Sequence, residues 1–368
     1  MFKGDDELEN YRYNQFSFAA GSWMLKWNII DDHVHNSLLD IHPGDTVNVF
    51  INFECILRNL LTQRGLTDAT NFHKQKLVIE LESSILNLMA NYRMYFNKER
   101  CNTRLYFYHT DLNESTQQMK IYNKYYREYY HNRYMENPQF RTTGELLNSV
   151  VIPEIELILL YVPGCYFIKS KVFDGSLIPY VISTFSDAKN VIISGDIFDT
   201  LYMFNPNFLT IYIKRRFQHF NVTSNIEETV KTIVKDESPF DLNIFKSEMY
   251  YRLLLSIKGS KIRNIKSAKG FGYSKFISLM KSGINNDIIL KDFESIDSII
   301  ELFPNKYRDD IKNAFQCTSI ENQYQLLNNT DIDNIKNQII DKSDIESLES
   351  LNNKRFMDCP INLNGLLG

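Results

Sequence analysis

Five short runs of β-branched and aromatic residues divide the first two thirds of the chain. They lie at residues 46–52, 104–109, 165–170, 190–194 and 208–213. Between them, apolar positions recur at the helical spacing of three and four residues, most clearly over 68–98, 116–136 and 142–162. Strands that alternate with helices predict an α/β fold, in which a parallel central sheet is flanked by helices.

The strand signals stop at about residue 225, and the rest of the chain has the pattern of helices with polar connections. Residues 1–45 are rich in aromatic and acidic side chains and end in the turn signal His42-Pro43-Gly44-Asp45. We therefore predict an N-terminal extension (1–45), an α/β domain (46–225), a helical region (226–350) and a C-terminal tail (351–368).

Composition places few limits on function. The formal net charge is -4 and 43% of the 368 residues are hydrophobic, which suits a chain with a sizeable core. The longest apolar region, 150–168, contains Glu154 and Glu156 and is too polar to span a bilayer, so no membrane partner is expected. The five cysteines include no C-x-x-C pair, which favours a reducing compartment. The bias towards Asn, Ile, Lys and Tyr is typical of an AT-rich phage or viral genome.

Positive charge is concentrated in one segment. Residues 252–281 contain eight Lys and Arg and no Asp or Glu, whereas 282–368 contain eight basic and fifteen acidic residues. A basic block of this kind attracts phosphates and predicts salt-dependent binding to nucleic acid. The alternative is a solvated helix face, which is what charge runs usually are.

A motif inside the basic block resembles a DNA-binding element. Residues 256–276, SIKGSKIRNIKSAKGFGYSKF, resemble the helix-two-turn-helix of flap endonucleases, with Gly259, Asn264, Ile265, Gly270 and Gly272 in register. Glycines around one apolar residue let the backbone turn and direct its N–H groups at a phosphate. The resemblance places the element at about 258–282. The nucleic-acid-binding residues it implies there are Lys261, Arg263, Lys266, Lys269, Gly270, Gly272, Ser274 and Lys275.

Further segments over residues 46–282 resemble the same flap endonuclease and 5′-3′ exonuclease family, which has a PIN-like fold. NVIISGD (190–196) is similar to the family's strand before a metal-binding aspartate, which would be Asp196. VFDGSLI (172–178) places Asp174 at a second acidic position. The segment 122–133, YNKYYREYYHNR, resembles the start of the arch over the family's active site. There Lys124 and Arg127 would contact phosphates and tyrosines would stack on bases, although tyrosines at this spacing also suit a half-buried packing face.

The resemblance implies a nuclease fold that has lost most of its metal ligands. The family cuts phosphodiesters with two divalent ions held by several carboxylates. Here Asn52, Ser176, Leu177 and Phe198 replace acidic residues in the α/β domain, and Ser260 and Arg263 replace aspartates in the helix-two-turn-helix. We therefore expect no catalysis and no cofactor. The vestigial positions are Asn52, Asp111, Asp174, Asp196 and Asp199, of which Asp174 and Asp196 match the family best, although an aspartate at a strand end often caps the next helix.

The function expected from these observations is that of a non-catalytic nuclease-fold protein of a phage or virus. It would act as an assembly component, of the virion near DNA, or as a DNA-binding factor through the block at 252–281. Protein partners and self-association are expected, in the host cytoplasm or the virion. The alternative is an active nuclease that cuts branched or nicked DNA with magnesium or manganese, using Glu54, Asp111, Asp174, Asp196 and Asp199.

Overall fold

In the described part of the chain, the central sheet has six strands. The computed structural model describes residues 41–56, 101–110, 125, 152–159, 164–214, 218–221, 226, 229–231, 245–260, 265–268, 270–285 and 296–339. The strands are β1 (Thr46–Asn52), β2 (Asn102–Thr110), β3 (Cys165–Ser170), β4 (Lys189–Ser194), β5 (Phe208–Lys214) and β6 (Gln218–Asn221). Their order across the sheet is β3-β2-β1-β4-β5-β6.

Strands β1 to β5 are parallel, which confirms the predicted α/β fold. The predicted bounds of β1 and β3 match the structure, while β2 begins two residues earlier and ends one residue later than its apolar run. β6 pairs antiparallel with β5 and was not predicted. Its sequence, QHFN, is too short and too polar to give a strand signal.

The helices account for most of the remaining described residues. They are α1 (Ile152–Leu159), α2 (Ile178–Ser183), α3 (Glu248–Lys258), α4 (Tyr273–Asn285), α5 (Ile296–Ile300), α6 (Asn305–Gln316), α7 (Ile320–Tyr324) and α8 (Asn329–Lys336). Two 3₁₀ helices lie at Gly175–Leu177 and Ile197–Phe204. In the part of the chain that the structure describes, no helix combines the length and the apolar character needed to cross a membrane.

An aromatic row runs across one face of the sheet. Phe50, Tyr106 and Tyr166 lie side by side in the register of β1, β2 and β3, and their ring centroids are 5.1 Å and 5.0 Å apart. Helix α2 covers this face with Ile178, Val181 and Ile182, and α8 contributes Ile335. Helices α7 and α8, near the end of the described chain, thus pack against α2, and α8 also contacts β3. The α2 and α8 residues that cover this face are more than a hundred positions apart in the sequence.

A second core lies within the helical region and is joined to the sheet by the 3₁₀ helix Ile197–Phe204. Phe198 and Leu201 belong to the core formed around α3, α4 and α6, whereas Tyr202 belongs to the core on the sheet. The Thr200 hydroxyl is 2.5 Å from the Tyr251 hydroxyl of α3. This short segment therefore contributes to both cores.

Candidate functional site

The first candidate site is the crevice at the carboxyl ends of β1 and β4. The connection from β1 leads to β2 on one side, and β4 lies on its other side, so the strand order reverses between β1 and β4. Ligands of open parallel sheets bind outside the carboxyl ends of the strands at such a reversal. Asn52 ends β1 and Ser194 ends β4, while Asp196 follows β4 directly.

Asp199 lies at the centre of this crevice and is only 1% exposed. Its Oδ2 accepts three hydrogen bonds, from Asn52 Nδ2 at 2.8 Å, Tyr108 OH at 2.9 Å and Ser194 Oγ at 2.5 Å. The three donors come from β1, β2 and β4. A buried carboxylate is tolerated when it is hydrogen-bonded in this way, because the donors replace the water that it has lost.

Tyr108 and Asn52 are each held in the state in which they donate a hydrogen bond to Asp199. Burial, and after it the charge of Asp199, raise the pKa of Tyr108 well above its ordinary value, so the phenol keeps its proton and donates. The Asn52 side chain donates through Nδ2 while its Oδ1 accepts from the Cys55 N–H at 3.2 Å, in the first turn of the helix that begins at Phe53. An aspartate at position 52 would instead place a second carboxylate against Asp199.

The two aspartates that match the nuclease family both cap 3₁₀ helices. Asp174 Oδ1 accepts from Ser176 N–H at 2.9 Å, and Asp196 Oδ1 accepts from Phe198 N–H at 3.0 Å. These are the helix-capping roles that aspartates at strand ends commonly have. The segment after Asp174 rests on the end of β2, because Gly175 N–H donates to Thr110 Oγ1 at 2.7 Å. A Cβ at position 175 would lie 2.8 Å from the His109 carbonyl carbon, so this approach requires glycine.

These carboxylates do not fit a catalytic pair of magnesium ions. Asp174 is placed over the end of β2 and Asp196 after β4, so β1 separates them by two strand spacings, or about 10 Å. The ions of two-metal sites are about 4 Å apart and share their ligands. Asp199 is surrounded by hydrogen-bond donors, whereas a magnesium ion requires oxygen acceptors. Among the described residues, no three His, Cys, Asp or Glu side chains converge.

The remaining acidic positions divide into described and undescribed residues. Glu54 Oε1 lies 3.7 Å from Nδ1 of His109, which is the last but one residue of β2. Asp111 lies outside the described residues.

Tyr108 and Ser194 were not predicted from the sequence as partners of Asp199. The register offers the signal that identifies Tyr108, because Asn52 and Tyr108 are paired in neighbouring strands and share a face of the sheet.

Comparison with known families and with curated proteins identified no relative of the chain. No model of a known protein family matches the chain, and no curated protein sequence is significantly similar to it.

The second candidate site is the hairpin between α3 and α4. Helix α3 ends at Gly259, whose φ of 63° lies in the left-handed region. Ser260 and Ile265 then exchange two backbone hydrogen bonds of 2.9 Å and 2.8 Å. A Cβ at position 259 would lie 2.6 Å from both Ile265 O and Ser267 N, so the hairpin closes only around glycine.

The N-terminus of α4 is open to solvent. Gly270, with φ of 85°, turns the chain, and Phe271 packs between Phe303 and Tyr307 with both ring centroids 5.3 Å away. Lys275 Nζ donates to the Gly270 carbonyl at 2.9 Å and holds this turn. Gly272 is exposed, and a Cβ there would meet nothing within 4 Å. Of the two glycines expected to shape the turn, Gly270 has the left-handed φ, whereas the space at Gly272 would admit a side chain.

The positive residues of the basic block have different environments. Lys266, Ser274 and Lys275 are exposed, and the last two lie in the first turn of α4. Arg252 is only 14% exposed, and its guanidinium lies 4.1 Å from the Phe315 ring centre and donates to the Phe315 carbonyl, so it stabilises the end of α6 instead of facing a ligand. Lys261, Arg263, Lys269, Lys124 and Arg127 lie outside the described residues.

Of the predicted tyrosine segment at 122–133, the structure describes Tyr125. This side chain is partly buried and packs against the core of the helical region. At this position, the packing alternative therefore applies.

Proposed function

We propose that the protein binds the phosphate backbone of DNA through the hairpin between α3 and α4, and does so without cleaving it. The observation that carries the proposal is the exposed N-terminus of α4, whose first turn contains Ser274 and Lys275, together with the exposed Lys266 in the preceding hairpin. In this proposal, the hairpin is the helix-two-turn-helix that the sequence resembles. The composition favours a phage or viral setting, in the virion or the host cytoplasm, where such binding would serve a structural assembly.

The chemistry of the helix end supports phosphate binding. The first N–H groups of an α-helix have no acceptor within the helix, and the helix dipole adds partial positive charge at the same place. Helix α4 has 13 residues and no acidic side chain in its first turn, so nothing in that turn competes with an anion. Contacts of this kind address phosphates and not base edges, so binding independent of DNA sequence is expected.

The non-catalytic part of the proposal is supported by the roles of the carboxylates. Asp174 and Asp196 accept backbone hydrogen bonds as helix caps, and Asp199 accepts three side-chain hydrogen bonds. Because each of these groups already stabilises the folded chain, their presence is explained without hydrolysis.

Reversing two charges beside α4 is expected to weaken DNA binding strongly. In a Lys266→Glu, Lys275→Glu double variant, loss of two phosphate contacts should make the plot of log affinity against log salt about 1.8 units less steep, which is roughly 60-fold weaker binding at 0.1 M salt. Fluorescence anisotropy with a labelled 20-base-pair duplex at several salt concentrations measures both quantities.

The matched control is Lys336→Glu, which makes the same charge change on α8, a helix that packs on β3 and α2. This variant should bind nearly as the unmodified protein does. Equal affinity and equal salt dependence of the double variant and the unmodified protein would show that the basic block is a solvated face.

Branched DNA is expected to remain intact in the presence of the protein. Flapped and nicked duplexes incubated with an excess of protein and either magnesium or manganese should show no new products on a denaturing gel, because the donor-lined crevice does not suit paired metal ions. The opposite result would be cleavage that disappears in an Asp196→Ala variant with an unchanged circular dichroism spectrum. That result would establish the alternative, an active metal-dependent nuclease.

A further inference from the structure

Among the described strands, β3 lies at one of the two edges of the sheet. Leu105 N–H donates to the Gly164 carbonyl, which shows that Gly164, and with it every second residue of β3, faces β2. Phe167 and Lys169 therefore direct their backbone N–H and C=O groups away from the sheet. An edge of this kind is a template for another chain unless it is covered.

At one position a side-chain amide already occupies this edge. Gln338, just beyond the end of α8, accepts from Lys169 N–H through Oε1 at 2.8 Å and donates to the Lys169 carbonyl through Nε2 at 3.0 Å. This is the pair of bonds that one residue of an adjacent antiparallel strand would make. Within the part of the chain that the structure describes, no hydrogen bond involves the outward N–H and C=O of Phe167.

The edge lies at the floor of a groove of about 770 Å³ between α1 and α8. Tyr166 lines it on the side of α8, and Phe167 and Leu159 line it on the side of α1. Helices border the groove on both sides, so a single extended chain fits between them more readily than the sheet edge of a second copy, which carries its own flanking helices. Each wall has apolar side chains among polar ones, Leu159 and Phe167 on the side of α1 and Tyr166 and Ile335 on the side of α8, which suits a chain whose side chains alternate in direction.

The charges in the groove cancel and indicate an uncharged occupant. Two lysines and two acidic residues line it. Glu156 and Lys169 form an ion pair at 2.8 Å, and the Asp331 carboxylate accepts from the Asn328 N–H in the cap of α8. A charged segment would lose hydration there without gaining an opposite net charge.

We propose that this groove binds an extended, uncharged peptide segment of a partner protein, which adds to the edge of β3 as a further strand beside Phe167. The main-chain hydrogen bonds of the added strand give affinity, and the apolar walls select its side chains. This interaction surface is separate from the DNA-binding hairpin and does not depend on it.

The test uses the full chain and a fluorescein-labelled peptide, acetyl-Gly-Val-Thr-Val-Thr-Val-Gly-amide. A second peptide of the same sequence carries N-methyl groups on alternate amides, which prevents strand pairing while leaving the side chains unchanged. Fluorescence polarisation should show binding at least tenfold weaker for the methylated peptide. Hydrogen exchange at the Phe167 amide should slow when the unmethylated peptide is present.

Two substitutions, one in the groove and one outside it, sharpen the test. Gln338→Ala frees the Lys169 backbone for a further pair of hydrogen bonds and should tighten peptide binding about tenfold. Asp333→Ala, on α8 but outside the groove lining and exposed, should leave it unchanged. Equal binding of the two peptides, absence of binding, or unchanged exchange at Phe167 would each overturn the proposal. Self-association of the chain that the peptide displaces would assign the edge to a second copy and would equally overturn it.

Discussion

Replacing Asp199 with alanine is expected to lower the free energy of unfolding by about 4 kcal/mol. The substitution leaves the Asn52 amide and the Tyr108 and Ser194 hydroxyls buried with their common acceptor removed, and each buried unsatisfied donor costs about 1–3 kcal/mol. The loss would be a large fraction of a domain's total stability, which is about 5–15 kcal/mol. Urea denaturation followed by circular dichroism measures it.

Two controls separate the charge of Asp199 from the shape of its side chain. Asp199→Asn keeps one acceptor oxygen and should cost about 2 kcal/mol, because part of the hydrogen bonding survives. Asp187→Ala removes an exposed carboxylate and should change stability by less than about 0.5 kcal/mol. An Asp199→Ala variant that is as stable as the unmodified protein, or more stable, would contradict this account. It would show a carboxylate kept for a ligand at a cost in stability.

The protein is expected to lose stability steeply above pH 10. Burial raises the pKa of Tyr106 to about 12 and raises the pKa values of Tyr108, Tyr212 and Tyr251 as well. A raised native pKa means that the folded chain keeps the proton while the unfolded chain releases it near pH 10. The stabilisation is therefore complete below pH 10 and is lost as the pH rises.

The expected slope follows from proton linkage. Each tyrosine that is protonated in the folded chain and ionised in the unfolded chain contributes about 1.4 kcal/mol per pH unit. The four tyrosines together therefore give at most about 5–6 kcal/mol per pH unit. Urea midpoints measured between pH 8 and pH 11.5, with absorbance at 295 nm to follow phenolate formation, test the expectation.

Tyr108→Phe offers a matched control for this experiment. It removes one titrating group, so the alkaline slope should become shallower by about 1.4 kcal/mol per pH unit. Stability at pH 7 should fall by about 1 kcal/mol, because Asp199 loses one of its three donors. Tyrosines that ionise near pH 10 in the folded protein, without a change in stability, would contradict the burial of these side chains.

The 3₁₀ helix Ile197–Phe204, which contains Asp199, has more than one structural role. Asp199 connects the 3₁₀ helix Ile197–Phe204 to three strands, and its neighbour Thr200 contacts Tyr251 of α3. Phe198 and Leu201 pack in the core of the helical region, while Tyr202 packs on the sheet. A substitution at Asp199 is therefore expected to loosen both cores together, as a single cooperative unfolding transition with reduced midpoint.

The elements of the sheet were predictable because burial imposes a local signature. Runs such as TVNVFIN and KNVIIS have β-branched and aromatic residues at adjacent positions and not only at every second one, as parallel strands buried on both faces require. β6 was missed because four residues, three of them polar, carry no such signature. The turn at Gly270 was predictable from its residue type, since its φ is in the left-handed region. Gly272 has no such φ, and the space around it would admit a side chain.

The sequence by itself determined the parallel α/β sheet and the concentration of positive charge around the α3–α4 hairpin. Both follow from residue types read locally: burial selects apolar runs, and charge is counted directly. Tertiary structure alone decided the roles of the acidic and basic residues. Asp199, Asn52, Tyr108 and Ser194 converge because the carboxyl ends of β1, β2 and β4 lie next to one another in the sheet. Hydrogen bonding and burial depend on neighbours that are distant in the chain, and the same dependence makes Arg252 a packing residue and places Gln338 on the edge of β3.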